Sequence, residues 1–330
     1  MHEDAALKAY KRKIYRQVLL VLSIIIVFVV NAAGFFAGAL FYKEFCVLNT
    51  RTSLERFNPL KSRLEKGLQT QNWQSVTIRS PFDYDVKGTY LPQAVPSNKT
   101  VIIVHGIAAN RLMGLWYADI YLDQDYNVLI YDARAHGESG GTAATWGFYE
   151  KYDLEEWVKW LKKEHPHDRI GVHGISMGAA TALMQAELNE SSRHVAFYVI
   201  DSAYSNLEDL LTRQIGAAVN SHNPLWIKTV LTYSSAVAYS QSRFFYRDVS
   251  PIHAVETVTT PILYLHGEDD LLVPVSMAYQ LYAATRGYRE IHTFPNTGHA
   301  MAVFDRKAEY RNYIVRFLDA ALQHENKEKL

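Results

Sequence analysis

The sequence predicts an α/β protein, with a mostly parallel central sheet covered by helices on both faces, preceded by one N-terminal transmembrane helix. Three observations carry this. From residue 75 onward, short β-branched apolar runs alternate with longer helical patterns, as in parallel βα units. No charge occurs between Arg16 and Lys43. A Gly-Ile-Ser-Met-Gly pentapeptide stands at a strand-to-helix junction, residues 174–178. Composition fits a chain with a sizeable core: of 330 residues, 48% are hydrophobic and 21% charged, which excludes wholesale disorder. Lys+Arg and Asp+Glu each number 34, so no net field draws in nucleic acid and none is expected as a partner. The single cysteine, Cys46, excludes an intrachain disulfide and a multi-cysteine metal site.

Residues 1–17 form a basic tail, with Lys8, Lys11, Arg12, Lys13 and Arg16 against Glu3 and Asp4. In residues 18–42 everything except Ser23, Asn31, Gly34 and Gly38 is apolar. As a helix this segment is about 37 Å long, more than the ~30 Å hydrocarbon core of a bilayer. We read it as an uncleaved anchor. The rival is a cleavable signal peptide with Val18–Val30 as its apolar core and Ala37-Gly38-Ala39 as the cleavage site. The run of Phe35, Phe36, Leu40 and Phe41 past that core favours the anchor. The basic tail outweighs Lys43, Arg51 and Arg56 on the far side, which places the N-terminus in the cytoplasm and the body outside it. Gly34-Phe35-Phe36-Ala37-Gly38 is a GxxxG pattern that would let two anchors pack; ordinary small-residue content is the simpler reading. Residues 43–74 read as a juxtamembrane connector with some helix.

The body spans residues 75–322, with a short tail at 323–330. Strands are expected at 75–79, 86–90, 100–104, 128–131, 169–173, 195–200, 262–265 and 290–294. Helices are expected at 112–122, 150–163, 177–188, 275–284 and 307–322. The first two strands have no helix between them and form an antiparallel edge. Between Ile200 and Ile262 the connection is far longer than a crossover helix requires. Helical patterns at 207–219 and 225–240, with Trp226, Tyr233, Tyr239, Phe244, Phe245 and Tyr246, make it a helical cap insertion at about 203–250. Asn98-Lys99-Thr100 and Asn189-Glu190-Ser191 match the N-glycosylation acceptor pattern.

The chemistry centres on Ser176. Its G-x-S-x-G follows the apolar run 170–173 and precedes the helix-forming run 179–183, the context a nucleophile elbow requires. Serine is a weak nucleophile and needs a base, which in turn needs an orienting carboxylate. The chain order here is serine, then acid, then histidine. An acid is available in Gly267-Glu268-Asp269-Asp270, after the strand at 262–265, and His299 follows the strand at 290–294. These three segments, far apart in sequence, reach the same C-terminal sheet edge, where ligands bind in open α/β sheets. Met177, next after the nucleophile, supplies one backbone N–H for an oxyanion. His165-Pro166-His167-Asp168 reads as a surface loop rather than a metal site.

The segments VHGIAAN (104–110), YDARAHGESGG (131–141), GISMG (174–178), HGEDDLLVP (266–274) and GHA (298–300) resemble the α/β-hydrolase superfamily over roughly residues 75–322. Within it the chain is most similar to membrane-anchored bacterial serine-aminopeptidase-like and prolyl-oligopeptidase-like hydrolases. The resemblance implies the α/β-hydrolase fold. It assigns the acid of the HGxxDxxVP pattern to Asp270, with Asp269 as the near rival and Asp201 as a more distant one. It assigns the second oxyanion N–H to Ile107, leaving His105 to order that loop. Ala135 departs from the family pattern, which has glycine there. The expectation is a membrane-anchored serine hydrolase with the triad Ser176, Asp270 and His299, working through an acyl-enzyme without a cofactor. An ester of a small or lipid-like acyl group is the expected substrate. The alternatives are a serine peptidase, for which Glu208 and Asp209 are the acids at the base of the insertion, and an inactive binding protein of this fold.

Overall fold

The structure is a computed structural model and describes residues 2–47, 57–218, 220 and 223–328. In chain order its elements are α1 (His2–Cys46), α2 (Asn58–Thr70), β1 (Gln74–Arg79), β2 (Asp85–Leu91), β3 (Lys99–Val104), α3 (Leu115–Leu122), β4 (Asn127–Tyr131), α4 (Glu150–Glu164), β5 (Arg169–Ile175) and α5 (Met177–Ser192). There follow β6 (Val195–Asp201), α6 (Leu207–Ala218), α7 (Pro224–Ser242), α8 (Pro251–Val255), β7 (Ile262–Gly267), α9 (Val275–Ala284), β8 (Arg289–Phe294), α10 (Ala302–Asp305) and α11 (Lys307–Glu328).

One 8-stranded sheet has the order β1-β2-β4-β3-β5-β6-β7-β8. β1 pairs antiparallel with β2, and β2 with β4; every later pairing is parallel. Parallel strands need crossovers, and these put helices over both faces, so the central strands are buried on both sides. β3 illustrates it. Ile102 and Val104 face a core that includes Leu154 and Trp157 of α4 and Leu183 of α5, while Val101 and Ile103 face a second core with Tyr117 of α3 and Phe317 of α11. The period-2 alternation of strand side chains thus serves two apolar layers.

Several elements run further than the sequence patterns. α1 begins in the basic tail at His2, and α11 continues to Glu328 through residues read as a tail. The first insertion helix ends at Ala218; Val219, read as its last residue, lies outside the described residues, as does the connector segment 48–56. Asn189 is fully buried, its Nδ2 donating to Val195 O at 2.9 Å and its Oδ1 accepting from Val195 N at 2.8 Å, so this acceptor motif is spent on the α5–β6 turn. The connection from β6 to β7 carries α6, α7 and α8. α1 does not stop at the edge of the body: Cys46 is buried, its carbonyl accepting from Ala144 N at 2.8 Å.

Candidate active site

The strand β5 runs directly into Ser176, whose φ of +55° and ψ of −116° lie outside the regions that non-glycine residues favour. Such strain persists only where the surroundings over-determine it. Here Ser176 N donates to Asp201 O at 2.8 Å, tying the elbow to the end of β6. The turn also needs a bare backbone at Gly178, where a Cβ would fall 2.1 Å from Val104 O. Ser176 Oγ therefore stands at the head of α5, above the C-terminal edge of the sheet.

His299 lies in the loop after β8. Its Nε2 is 2.9 Å from Ser176 Oγ and its Nδ1 is 2.6 Å from Asp270 Oδ2. Asp270 sits in the loop after β7, buried, with its other oxygen accepting the Leu272 and Val273 amides at 2.9 and 2.8 Å. Burial alone pushes the Asp270 carboxyl up, but hydrogen bonds from His266 and His299, the attraction of His299 and the Val273 amide hold it at about 2. The structure thus brings Ser176, His299 and Asp270 into one hydrogen-bonded chain.

The two rival acids are placed elsewhere. Asp269 is exposed, its backbone N–H bound to Thr297 O at 3.0 Å. Asp201 is buried and accepts Tyr310 OH at 2.8 Å and Ser202 Oγ at 2.9 Å. Ser202 Oγ in turn accepts Ala300 N at 3.1 Å. Asp201 is accordingly the anchor of the histidine loop. His266 is a contact the sequence did not reveal. Its Nε2 donates to Val273 O at 2.8 Å and lies 3.3 Å from Asp270 Oδ2, bracing the acid loop from inside the sheet. The HGxxD spacing contains this histidine, but spacing alone does not say which way its ring points.

The loop after β3 abuts the nucleophile: a Cβ on Gly106 would lie 3.2 Å from Ser176 Cβ. Ile107 follows in that loop, and Met177 is the first residue of α5. His105 accepts Ala133 N at Nε2 (2.9 Å), so its Nδ1 carries the proton donated to Gly106 O (2.7 Å). Burial lowers its pKa to about 3, so it stays neutral and orders the loop. The 131–141 segment is a second support. Asp132 accepts the Arg111 and Glu138 amides at 2.7 and 2.9 Å and pairs with the Arg111 guanidinium, while Ala135 adopts a φ of +60°. His173 is buried between the hydroxyls of Tyr121 and Tyr310, at 3.0 and 3.1 Å. The loops that carry the triad also expose apolar side chains: Leu271 is 93% exposed, and Leu272, Met301 and Phe304 are exposed, alongside Glu268 and Asp269.

Chemically, the arrangement offers a hydroxyl, a base in contact with it and a buried carboxylate that fixes the base, at the N-terminus of α5. The family described as alpha/beta hydrolase fold matches residues 99–222. The uncharacterized protein YqkD of Bacillus subtilis (strain 168) is 36% identical over 244 residues, 73% of this chain and 78% of that protein. The lysophosphatidylserine lipase ABHD12 of Mus musculus is 25% identical over 207 residues, 60% of this chain and 49% of its own length. Among solved structures, the Pyrococcus furiosus esterase Pf2001 superposes with a TM-score of 0.62 at 25% identity, covering 77% of this chain and 93% of that one. With its parallel sheet, its elbow and these relatives, the chain belongs to the alpha/beta hydrolase family.

Proposed function

We propose that the protein is a serine carboxylic-ester hydrolase held to a membrane by α1. The observation that carries the chemistry is the unbroken chain from Ser176 Oγ through His299 to Asp270, at 2.9 and 2.6 Å. Ser176 Oγ attacks the ester carbonyl carbon as its proton passes to His299 Nε2. Asp270 accepts Nδ1–H throughout, fixing the tautomer and balancing the imidazolium. The Ile107 and Met177 amides hold the tetrahedral oxyanion. As the intermediate collapses, the bond to the alkoxy oxygen breaks and His299 returns the proton to that oxygen, releasing an alcohol. Water, deprotonated by His299, then cleaves the acyl-enzyme by the same route, releasing the acid and restoring Ser176.

An ester with an apolar acyl group is supported by the exposed rim of Leu271, Leu272, Met301 and Phe304, and by an esterase and a lipase among the similar proteins. The test is a fluorophosphonate probe, which should label Ser176 in the wild type and in neither Ser176→Ala nor His299→Ala. p-Nitrophenyl esters of increasing chain length, run beside aminoacyl-anilides, then fix the class. Ester turnover without anilide cleavage upholds the reading, and anilide cleavage dependent on a free amino terminus replaces it with a peptidase.

The anchor reading rests on α1, whose stretch Tyr10–Cys46 has the length and apolarity to span a bilayer. Residues 11–33 are exposed on all sides, although most from Val18 onward are apolar, so the body supplies no core for them. The excess of Lys8, Lys11, Arg12, Lys13 and Arg16 over the positives beyond the span supports a cytoplasmic N-terminus with the body outside it. A protease added to intact cells should therefore digest the body; full protection would reverse the orientation.

A further inference from the structure

The helix α1 has two parts. Up to Ala33 its described side chains are exposed; from Gly34 a stripe of Gly34, Ala37, Gly38, Phe41, Tyr42, Phe45 and Cys46 is half-buried or buried. The spacing of three and four puts that stripe on one face. Its partner is α7. A Cβ on Gly38 would fall 2.7 Å from Ser234 N, and one on Gly34 would fall 2.3 Å from the Tyr233 ring. Phe35 meets Tyr233 edge-on at 5.0 Å, Tyr233 OH donates to Asn31 Oδ1 at 3.0 Å, and Tyr42 OH lies 2.7 Å from Ser242 Oγ. The GxxxG pattern is therefore used within the chain, to let the insertion approach the backbone of α1.

The direction of this contact matters. Higher numbers on α1 meet higher numbers on α7, from Asn31 and Gly34 with Tyr233 to Tyr42 with Ser242. The two helices run parallel, so the part of α7 before Tyr233 points back along the bare part of α1. That bare part supplies about 30 Å of helix over Ile14–Ala33, the thickness of a hydrocarbon core, with Arg16 able to snorkel. Because the stripe from Gly34 onward is bound to the insertion, no stalk separates membrane from body. Leu225 and Trp226, 76% and 43% exposed, begin α7. They lie about 10 Å nearer the membrane than Tyr233, at 1.5 Å per residue. Tyr233 itself lies level with Gly38, about 7 Å on the body side of Ala33. Leu225 and Trp226 therefore reach about 3–5 Å past the edge of the bare segment, into the interface where tryptophan is at home. Exposed Lys228 follows on the headgroup side.

We propose that the N-terminal end of α7 is a second membrane contact, with Leu225 and Trp226 embedded in the leaflet of a phospholipid bilayer beside α1. The proposal rests on the anchor reading above. It seats the β6–β7 insertion on the lipid surface.

The test uses the full chain in phosphatidylcholine vesicles. The wild type, whose only cysteine Cys46 is buried, serves as the unlabelled control. An environment-sensitive fluorophore is placed at Leu225→Cys, at Phe28→Cys in the span, and at Val95→Cys in the exposed turn before β3, on the edge away from the site. Lipids spin-labelled at a shallow or a deep acyl position are the quenchers. The label at 225 should be blue-shifted and quenched several-fold more by the shallow lipid than the label at 95, while the label at 28 is quenched by the deep one. A label at 225 that behaves like the one at 95, with the label at 28 still quenched, overturns the proposal and leaves the anchor standing. A blue-shifted but unquenched label at 225 assigns a protein neighbour and also overturns it. An unquenched label at 28 removes the anchor and the proposal together. Trp226→Cys replaces Leu225→Cys should that variant fail to take up the fluorophosphonate probe and so prove misfolded.

Discussion

The rim that carries Ser176, Asp270 and His299 and the insertion that carries α7 are held in place by opposite means. Around the rim, buried hydrogen bonds tie the loops to the sheet. Ser176 N binds Asp201 O, Ala300 N binds Ser202 Oγ, and His266 binds Val273 O. Unmade bonds in such a place cost the full desolvation of the group left behind, which disfavours other conformations of each loop. The insertion is held to α1 chiefly by close van der Waals approach at Gly34 and Gly38, with polar bonds such as Tyr42–Ser242 at its margin. The rim is thus specified by chemistry and the insertion by shape, and the two should fail differently.

The largest effect is expected at the rim. Asp270→Asn leaves the shape intact but offers His299 the wrong hydrogen-bond partner, and ester turnover should fall by about 10⁴. Asp269→Asn, at an exposed position, should change it little; the reverse ranking in a p-nitrophenyl ester assay would move the acid. The same variant reads the stabilising role of the carboxylate. Asp270 titrates at about 2 in the folded chain, below its unfolded value of about 3.9. Its contribution is therefore fully present above about pH 4 and lost as pH falls through 2. Denaturant midpoints should show the wild type losing on the order of 2 kcal/mol more than Asp270→Asn between pH 5 and pH 2.

A smaller effect is expected at the insertion. Gly38→Leu forces a side chain into the Ser234 backbone, which has no flexible end to yield. About 1–3 kcal/mol of stability should be lost, read as a lower thermal midpoint. Turnover of a water-soluble ester by the folded fraction should survive, because no rim bond is touched. Loss of that activity in folded protein would mean that the two regions are coupled.

The smallest is a gain, again at the rim. Ala135 holds a φ of +60°, which costs a residue with a Cβ about 1–2 kcal/mol. Ala135→Gly removes that cost but gives the unfolded chain more freedom, so a net gain of about 0.5 kcal/mol is expected in a denaturant titration. A net loss would mean that packing of the Ala135 methyl outweighs the backbone strain.

The same contrast governs what could be read in advance. The parallel sheet followed from apolar runs and their spacing, because burial on two faces forces a continuous apolar strand and a covering helix. The nucleophile, the base and the loops that carry them followed from short local patterns, since a sharp strand-to-helix turn admits few residue types. The face that His266 presents to Asp270 did not follow, because a ring's direction is set by neighbours distant in sequence. Asp201 and Asp270 are alike as letters at strand ends; packing alone turned one toward Tyr310 and the other toward His299.

Length and apolarity by themselves determined that residues 18–42 form a helix suited to a bilayer, since those properties are summed along the chain. The use of Gly34 and Gly38 was decided only by the tertiary structure. A glycine pair permits any helix to come close, and which helix does so depends on where the fold delivers it. Here the crossover between β6 and β7 delivers α7, parallel to α1, against a stripe that the sequence left without a partner.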